Sequence, residues 1–526
     1  MLIVVPLEAP ARIVRELAQH GYNADREAVT LIASTDDPRA TLETVVDTTP
    51  DDALTVTTEQ VQQVIEDAKN NPSVSTGTPG SKHDEDGQTT PPETRGETDS
   101  PESVTARDAS TAFGGGDGAD RGGTAHRSVD IANDMTGQST GTGEYDDFVD
   151  VFRDRFERLS GQLRGRVNHR PTDTLEAMGG NNDAAIVGMV NDIRSTASGH
   201  WLIELEDTAG TFPCLVMKDR EFADLVDELL MDEVIAVEGT LADDGGILFV
   251  DSLYFPDVPR TFEPSTADRH VQAALISDVH VGSQEFMEDA WNRFANWLHT
   301  EAAESIEYLL IAGDMVEGVG VYPDQDDELD IVDIYDQYEA FSEHLKSVPG
   351  DIEIIMIPGN HDAVRLAEPQ PGFDEELRDI MSAHDARISS NPSTVTIEGV
   401  SVLMYHGVSL DEIIAEFPDE KASYDEPEKP MYHLLKKRHV APQYGGHMRL
   451  APEKKDYLVI DEVPDIFHTG HVHKLGYGKY RNVLAINSGC WQAQTDFQKS
   501  VNIDPDSGYA PIVDLDTLET TIRKFY

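Results

Sequence analysis

Five short runs of apolar, largely β-branched residues stand out in the second half of the chain: Val271–Ser277, Tyr308–Ala312, Ile354–Ile357, Val400–Tyr405 and Asp465–Phe467. Each is too short for a helix and too continuously apolar for a half-exposed strand, which predicts strands buried on both faces. Each runs straight into polar residues. In order these are Asp278 and His280; Gly313-Asp314 with Glu317; Pro358-Gly359-Asn360-His361-Asp362; His406-Gly407; and His468 with His471 and His473. Open α/β sheets place their chemistry at such strand ends, so these residues form the candidate site.

Earlier in the chain the pattern changes. Residues 1–70 read as a small helical domain suited to docking a partner. Ala11–Ala18 has apolar spacing of three and four, and Thr57-x-x-Gln60 is a capping box before a helix burying Val61, Val64, Ile65 and Ala68. Over 71–144 the composition collapses to Gly, Ser, Thr, Asp and Pro, which predicts a disordered tether. Residues 145–262 read as a helical lead-in, Phe148–Leu163, followed by five strands: Ala185–Val190, Trp201–Leu205, Thr211–Val216, Val234–Glu238 and Ile247–Val250. A helix, Arg220–Leu230, falls between the third and fourth. That order fits an OB-fold β-barrel. Trp201 and Phe212 either stack single-stranded bases or fill the barrel.

The formal net charge is −59, from 99 acidic against 40 basic residues. Binding to phosphates normally needs the opposite sign. In molar salt, however, the Debye length falls to about 3 Å, and diffuse repulsion from DNA nearly vanishes. The acidity therefore fits a halophile's cytoplasm, where dense surface carboxylates keep a protein hydrated and soluble. Cys214 and Cys490 sit in apolar or glycine surroundings and are expected as buried free thiols. The amino terminus lacks a signal-peptide pattern, and no apolar run approaches the roughly 20 residues that span a bilayer. A cytoplasmic protein without membrane contact is expected.

The five strand ends offer carboxylates, imidazoles and one amide oxygen, but no thiolate. Such donors suit manganese, iron or zinc and argue against a closed structural zinc site. They also outnumber what one ion needs, so a two-metal site is expected, with a carboxylate shared between ions about 3.5–4 Å apart.

In order along the chain, Asp278-x-His280, Gly313-Asp314-x-x-Glu317, Gly359-Asn360-His361-Asp362, His406 and Gly470-His471-x-His473 resemble the five motifs of the calcineurin-like metallophosphoesterases. The resemblance implies an α+β metallophosphoesterase sandwich over 263–526. It implies one divalent ion held by Asp278, His280, Asp314 and His473, and a second held by Asp314, Asn360, His406 and His471, with Asp314 as the bridge. Manganese is expected first, with iron or zinc as alternatives. His361 is implied as the non-ligand general acid, its tautomer held by Asp362. Glu317 stands where the family usually has Asp, at a position that is not normally a ligand.

Four further stretches, none demanded by metal chemistry, narrow the resemblance: Gly318–Pro323, Leu434–Pro442, Tyr457–Asp465 leading into His468-Thr-Gly-His471, and Asn487–Gln494. They resemble the small subunit of the archaeal family D DNA polymerase. That implies a heterodimer with a large catalytic polymerase subunit, and a 3′–5′ exonuclease acting on single-stranded or mismatched DNA ends for proofreading. A phosphatase or cyclic-nucleotide esterase, and a catalytically silent scaffold, remain as alternatives.

Three surface features complete the reading. Acidic residues Asp324–Asp336 flank the site as a screen or a lid. Lys436, Lys437 and Arg438, with Arg449, Lys454 and Lys455, form a basic island in an acidic chain, and predict contact with phosphates or with an acidic partner, or a solvated helix face. At the carboxy terminus, Ile522, Phe525 and Tyr526 resemble a sliding-clamp-binding peptide in which Glu519 replaces the glutamine. The same residues also read as the second strand of a hairpin, Ala510–Leu515 with Thr520–Phe525.

Overall fold

The structure, a computed structural model, describes residues 127–138, 141–322, 325–382, 386–445, 448–500 and 503–526, together with Ile13 and parts of 23–65. The chain divides into two compact units, Met1–Ser100 and Pro101–Tyr526. Among the described residues no helix is long and apolar enough to cross a membrane.

In the first unit β1 (Asn23–Ala24) pairs in parallel with β2 (Thr55–Val56). Helices α1 (Arg26–Ala33) and α2 (Pro38–Thr48) bury Ala28, Val29, Ile32, Leu42 and Val45 with Ile13 and Val61, and Val64 and Ile65 pack against this core. The parallel pair is a correction to the all-helical expectation, since two-residue strands leave no periodicity to read. The predicted helix Ala11–Ala18, apart from Ile13, and Thr57, Ala68 and 71–126 lie outside the described residues.

The second unit begins earlier than predicted. Residues 127–138, assigned to the tether, are ordered: β3 (Val129–Ala132) pairs antiparallel with a later strand, Arg127 pairs with Glu307, and Met135 is fully buried. Helix α3 (Tyr145–Leu163) follows, burying Val151, Phe156, Leu159 and Leu163, with Arg155 among them. Arg155 is 1 % exposed and donates to Asp456, which also meets His439 Nε2 at 2.9 Å.

Strands β4 (Asp183–Ser195), β5 (Trp201–Asp207), β6 (Gly210–Val216), β7 (Val234–Leu241) and β8 (Leu248–Tyr254) form a closed barrel in the order β4-β5-β6-β8-β7. Phe212 and Cys214 lie in its core, and Trp201 packs half-buried against it, so these side chains fill the barrel. In place of the predicted helix Arg220–Leu230 there is a 3-10 turn over Ala223–Glu228. The chain becomes extended at Leu229, which enters the barrel core while Leu230 enters a different apolar cluster. An extended chain points successive side chains to opposite sides, which suits neighbours that enter two separate cores.

Two six-stranded sheets carry the site. In the first, β9 (Gln272–Ile276), β10 (Ile306–Ala312), β11 (Glu353–Ile357) and β12 (Arg387–Ile388) run parallel, and the hairpin of β18 (Tyr509–Asp514) and β19 (Glu519–Lys524) joins beside β9. In the second, β13 (Ser393–Ile397), β14 (Val400–Met404), β15 (Ile466–Thr469), β16 (Leu475–Tyr480) and β17 (Val483–Ser488) take the order β16-β17-β15-β14-β13-β3, with β14, β15 and β17 parallel.

Side chains such as Leu275, Leu310 and Ile355 from the first sheet meet Val402, Met404 and Ile466 from the second in one apolar layer. The alternate residues of the first sheet, Ile276, Leu309 and Met356, pack outward under α4 (Glu288–Leu298) and α5 (Ile334–Leu345). Those of the second sheet, including Leu403 and Phe467, pack under α6 (Ser409–Glu416) and α7 (Glu428–Lys437). Because both faces of each central strand are covered, the sequence shows apolar runs rather than alternation. The carboxy-terminal residues form the hairpin: Phe525 is buried against Phe294, Trp297 and Trp491, so it is not an anchor on a free tail.

Candidate metal centre

Parallel strands β9, β10 and β11 of one sheet, and β14 and β15 of the other, direct their carboxyl ends into one crevice. Asp278, His280, Asp314, His471 and His473 all have left-handed backbone there, with φ of 52°, 55°, 50°, 71° and 55°. Non-glycine residues avoid this region, and five such residues together mark a site where the fold holds strained backbone for function. Two glycines allow close approach. A Cβ on Gly359 would sit 2.2 Å from Asp314 Oδ1, and one on Gly470 would sit 2.3 Å from Asp278 Oδ2.

The side-chain donors fall into overlapping groups. Those of Asp278, His280 and His473 lie within 4.8 Å of one another, as do those of Asp314, His406 and His471, and those of His280, Asp314 and His361. Asp314 Oδ2 is 3.2 Å from His406 Nε2 and 3.8 Å from His280 Nε2, so one carboxylate reaches both halves of the cluster. Asn360 Oδ1 lies 3.0 Å from His406 Nε2, and His280 Nε2 lies 3.0 Å from His473 Nε2.

His406 tests whether these residues fit a cation. Its Nδ1 is 2.9 Å from the carbonyl oxygen of Ala312, an acceptor, and is therefore protonated. In the neutral ring Nε2 then carries a lone pair, yet it faces two further acceptors, Asn360 Oδ1 and Asp314 Oδ2. Either a second ring proton or a cation must lie between them, and among the described residues each ion pair of Asp278 and Asp314 is with histidine. The residues present fit divalent metal.

The same crowding sets the electrostatics. Burial works to raise the Asp314 carboxyl, but the facing charges of His406, His361 and His280 hold it well below the usual carboxylate range. Burial works to lower His406, and Asp314 draws it up to about 10. Burial and then the Asp314 charge push Asp362 up to about 7.

Asp362 requires a correction. It accepts from Gly359 N at 2.8 Å, from Met315 N and from Tyr338 Oη at 3.0 Å, and so ties the β10 and β11 loops together. His361 Nδ1 lies instead 2.8 Å from the backbone carbonyl of Glu317. An adjacent carboxylate was the wrong partner because its oxygens already accept from Gly359 N, Met315 N and Tyr338 Oη.

Lys436, Lys437 and Arg438 are corrected too. Lys436 pairs with Glu228, and Lys437, fully buried, pairs with Glu233 at 2.7 Å and donates to Glu228 O. Arg438 donates to the carbonyls of Ile460 and Asp461. Glu228 and Glu233 belong to the barrel segment, so Lys436 and Lys437 staple the barrel to the sheets, and neither they nor Arg438 face DNA. Of the other island residues, Arg449 and Lys454 are exposed.

Several supporting residues had no role assigned from the sequence. Glu317 Oε2 lies 2.8 Å from His280 Nδ1, ion-pair close though not aligned as a hydrogen bond. Despite burial, the charges of His280 and His361 hold Glu317 at about 2. Gln492 donates to the same carboxylate oxygen at 2.7 Å, Asp411 Oδ2 meets His471 Nε2 at 3.1 Å, and Gln498 Nε2 meets His473 Nδ1 at 2.8 Å. Such outer partners orient metal-binding side chains. Gln492 lies in the Asn487–Gln494 stretch, whose resemblance was the signal that could have found it.

Residues 273–475 match the family model for the B subunits of DNA polymerases alpha and epsilon. The DNA polymerase II small subunit of Halobacterium salinarum is 66% identical over 522 residues, spanning 99% of this chain and 100% of that one. That of Archaeoglobus fulgidus is 46% identical over 386 residues, 72% of this chain and 77% of its own. That of Methanocaldococcus jannaschii is 40% identical over 394 residues, 73% and 66% respectively. The near-complete match to a halophile's protein agrees with the charge of −59, and the chain belongs to the archaeal DNA polymerase II small-subunit family, in a halophilic form.

Proposed function

We propose that this chain is the nuclease-bearing partner of a large catalytic polymerase subunit, and that it removes nucleotides from single-stranded or mismatched 3′ ends of DNA with two divalent ions. The two sheets would then be a calcineurin-like phosphoesterase, and the barrel an OB-fold module fixed to it. The observation that carries this reading is the position of Asp314, one carboxylate within reach of both His280 and His406, in a crevice that gathers seven donor residues from five strand ends.

In this reading Asp278, His280, Asp314 and His473 would hold one ion, and Asp314, Asn360, His406 and His471 the other, with manganese favoured by the oxygen and imidazole donors. Such ions supply a nucleophile at neutral pH and neutralise charge on the phosphoryl oxygens. The protein's own part is positioning and proton transfer. The Glu317 carbonyl keeps the proton of His361 on Nδ1, so the proton on a charged ring's Nε2 is the one available to the leaving 3′-oxygen. Burial opposes that charged form, and Asp314 and Glu317 raise the His361 pKa against it.

The test is to load the full chain with manganese in molar salt and supply single-stranded DNA with a free 3′ end. Stepwise shortening is expected. Hydrolysis of small phosphomonoesters with none of DNA would overturn the reading in favour of a phosphatase.

A further inference from the structure

The Gly318–Tyr322 stretch and the short helix Asp496–Ser500 approach each other beside the metal centre. The rings of Tyr322 and Phe497 lie 6.3 Å apart, centroid to centroid, with 25° between their planes, and Tyr322 is 6.4 Å from the ring of His361. Phe497 is 43% exposed. Each aromatic is tied to the site through one residue. Tyr322 Oη lies 3.3 Å from Glu317, the carboxylate beside His280, and 3.1 Å from Glu328. Phe497 precedes Gln498, which meets His473.

We propose that Tyr322 and Phe497 form a stacking wall for the base of the terminal nucleotide of single-stranded DNA, holding that end at the metal centre. The inference rests on the nuclease reading and deepens it. Two nearly parallel rings next to the proposed proton donor present π surface where the end of a strand must lie.

The rest of the argument concerns what else could hold DNA here. Lys436, Lys437 and Arg438 are committed to Glu228, Glu233 and backbone carbonyls, and the loop beyond Tyr322 carries Asp326, Asp327 and Glu328. Affinity drawn from phosphates falls steeply with salt, and at molar ionic strength little of it survives. Stacking on an aromatic ring needs no charge and tolerates every base. A halophilic nuclease with an acidic surface can therefore retain its substrate by π contact where a basic groove would fail.

Binding can be read without turnover. In the full chain, freed of metal and held in molar salt, an oligonucleotide carrying 2-aminopurine at its 3′ end should be quenched on binding. Phe497→Ala and Phe497→Leu should relieve the quenching and weaken binding about ten-fold. The second variant keeps apolar bulk and loses only the π face. An oligonucleotide with an abasic 3′ end should bind the unaltered chain with the same ten-fold loss, and lose nothing further in either variant. Equal quenching and affinity in all three proteins, with manganese-loaded chain still shortening DNA, would overturn the wall and leave the nuclease reading standing. No binding and no shortening of DNA by the unaltered chain would overturn both.

Discussion

The Nδ1 of His361 is 2.8 Å from the main-chain carbonyl oxygen of Glu317, while the carboxylate of Asp362, next in sequence, points away to Gly359 N and Tyr338 Oη. A carbonyl that orients an imidazole cannot be removed by substitution, whereas an orienting aspartate can, and its loss is very damaging where it sets the tautomer. Asp362→Asn should therefore lower kcat on single-stranded DNA by less than His361→Ala, which should lose about 10²–10⁴-fold. Equal losses in the two variants, measured under the same metal loading, would show that Asp362 sets the tautomer after all.

Metal content separates a bridging residue from a catalytic one. Asp314→Ala removes the carboxylate that reaches both His280 and His406, so elemental analysis after desalting should find both ions depleted. His361→Ala should keep its full complement and lose turnover. If the two variants hold the same amount of metal, Asp314 is not the bridge.

Acid should loosen the contact between barrel and sheets. Burial works to raise Glu228, but Lys436 and Lys421 hold it at about 2, against an ordinary value of 4.5. Its folded pKa is thus depressed. The stability it contributes is present above pH 4.5 and is lost as pH falls from 4.5 towards 2. Buried pairs are screened less than exposed ones, so the effect should persist in salt. Thermal melts of the unaltered chain and of Glu228→Gln should differ at pH 7 and converge below pH 4.5; a constant gap would refute the linkage.

Truncation after Glu519 removes most of β19 and the buried Phe525. The melting temperature of the second unit should fall, and Phe525→Ala alone should cost about 3–5 kcal/mol. Sliding-clamp binding, if any is measured for the full chain, should survive. An unchanged melting temperature with lost clamp binding would restore the free-tail reading.

The strand ends were legible because doubly covered strands cannot hide: Tyr308–Ala312 and Ile354–Ile357 are apolar at every position, and the polar residue that follows each is conspicuous. What escaped depended on partners far apart in sequence. Lys437 stood out as a cation in an acidic chain, but Glu233, which neutralises it, lies on the barrel and nothing local pairs them. The link from Glu317 to His361 escaped because it runs through the main chain, where side-chain identity carries no signal. β3 escaped because Val-Asp-Ile-Ala is four residues within a Gly- and Asp-rich tract, too short to outweigh its surroundings.

That edge strand makes the barrel an insertion within another domain. β3 precedes the barrel in the chain, yet Ala132 and Val129 pair with Thr394 and Ile397 on its far side. During synthesis β3 must wait, unpaired, until the barrel and most of the first sheet have left the ribosome, so the second sheet closes late. Anyone trimming this protein to its folded core at residue 145 would discard β3 and leave β13 with a bare row of amides and carbonyls, a template for aggregation. The shortest well-behaved fragment should therefore begin before Arg127.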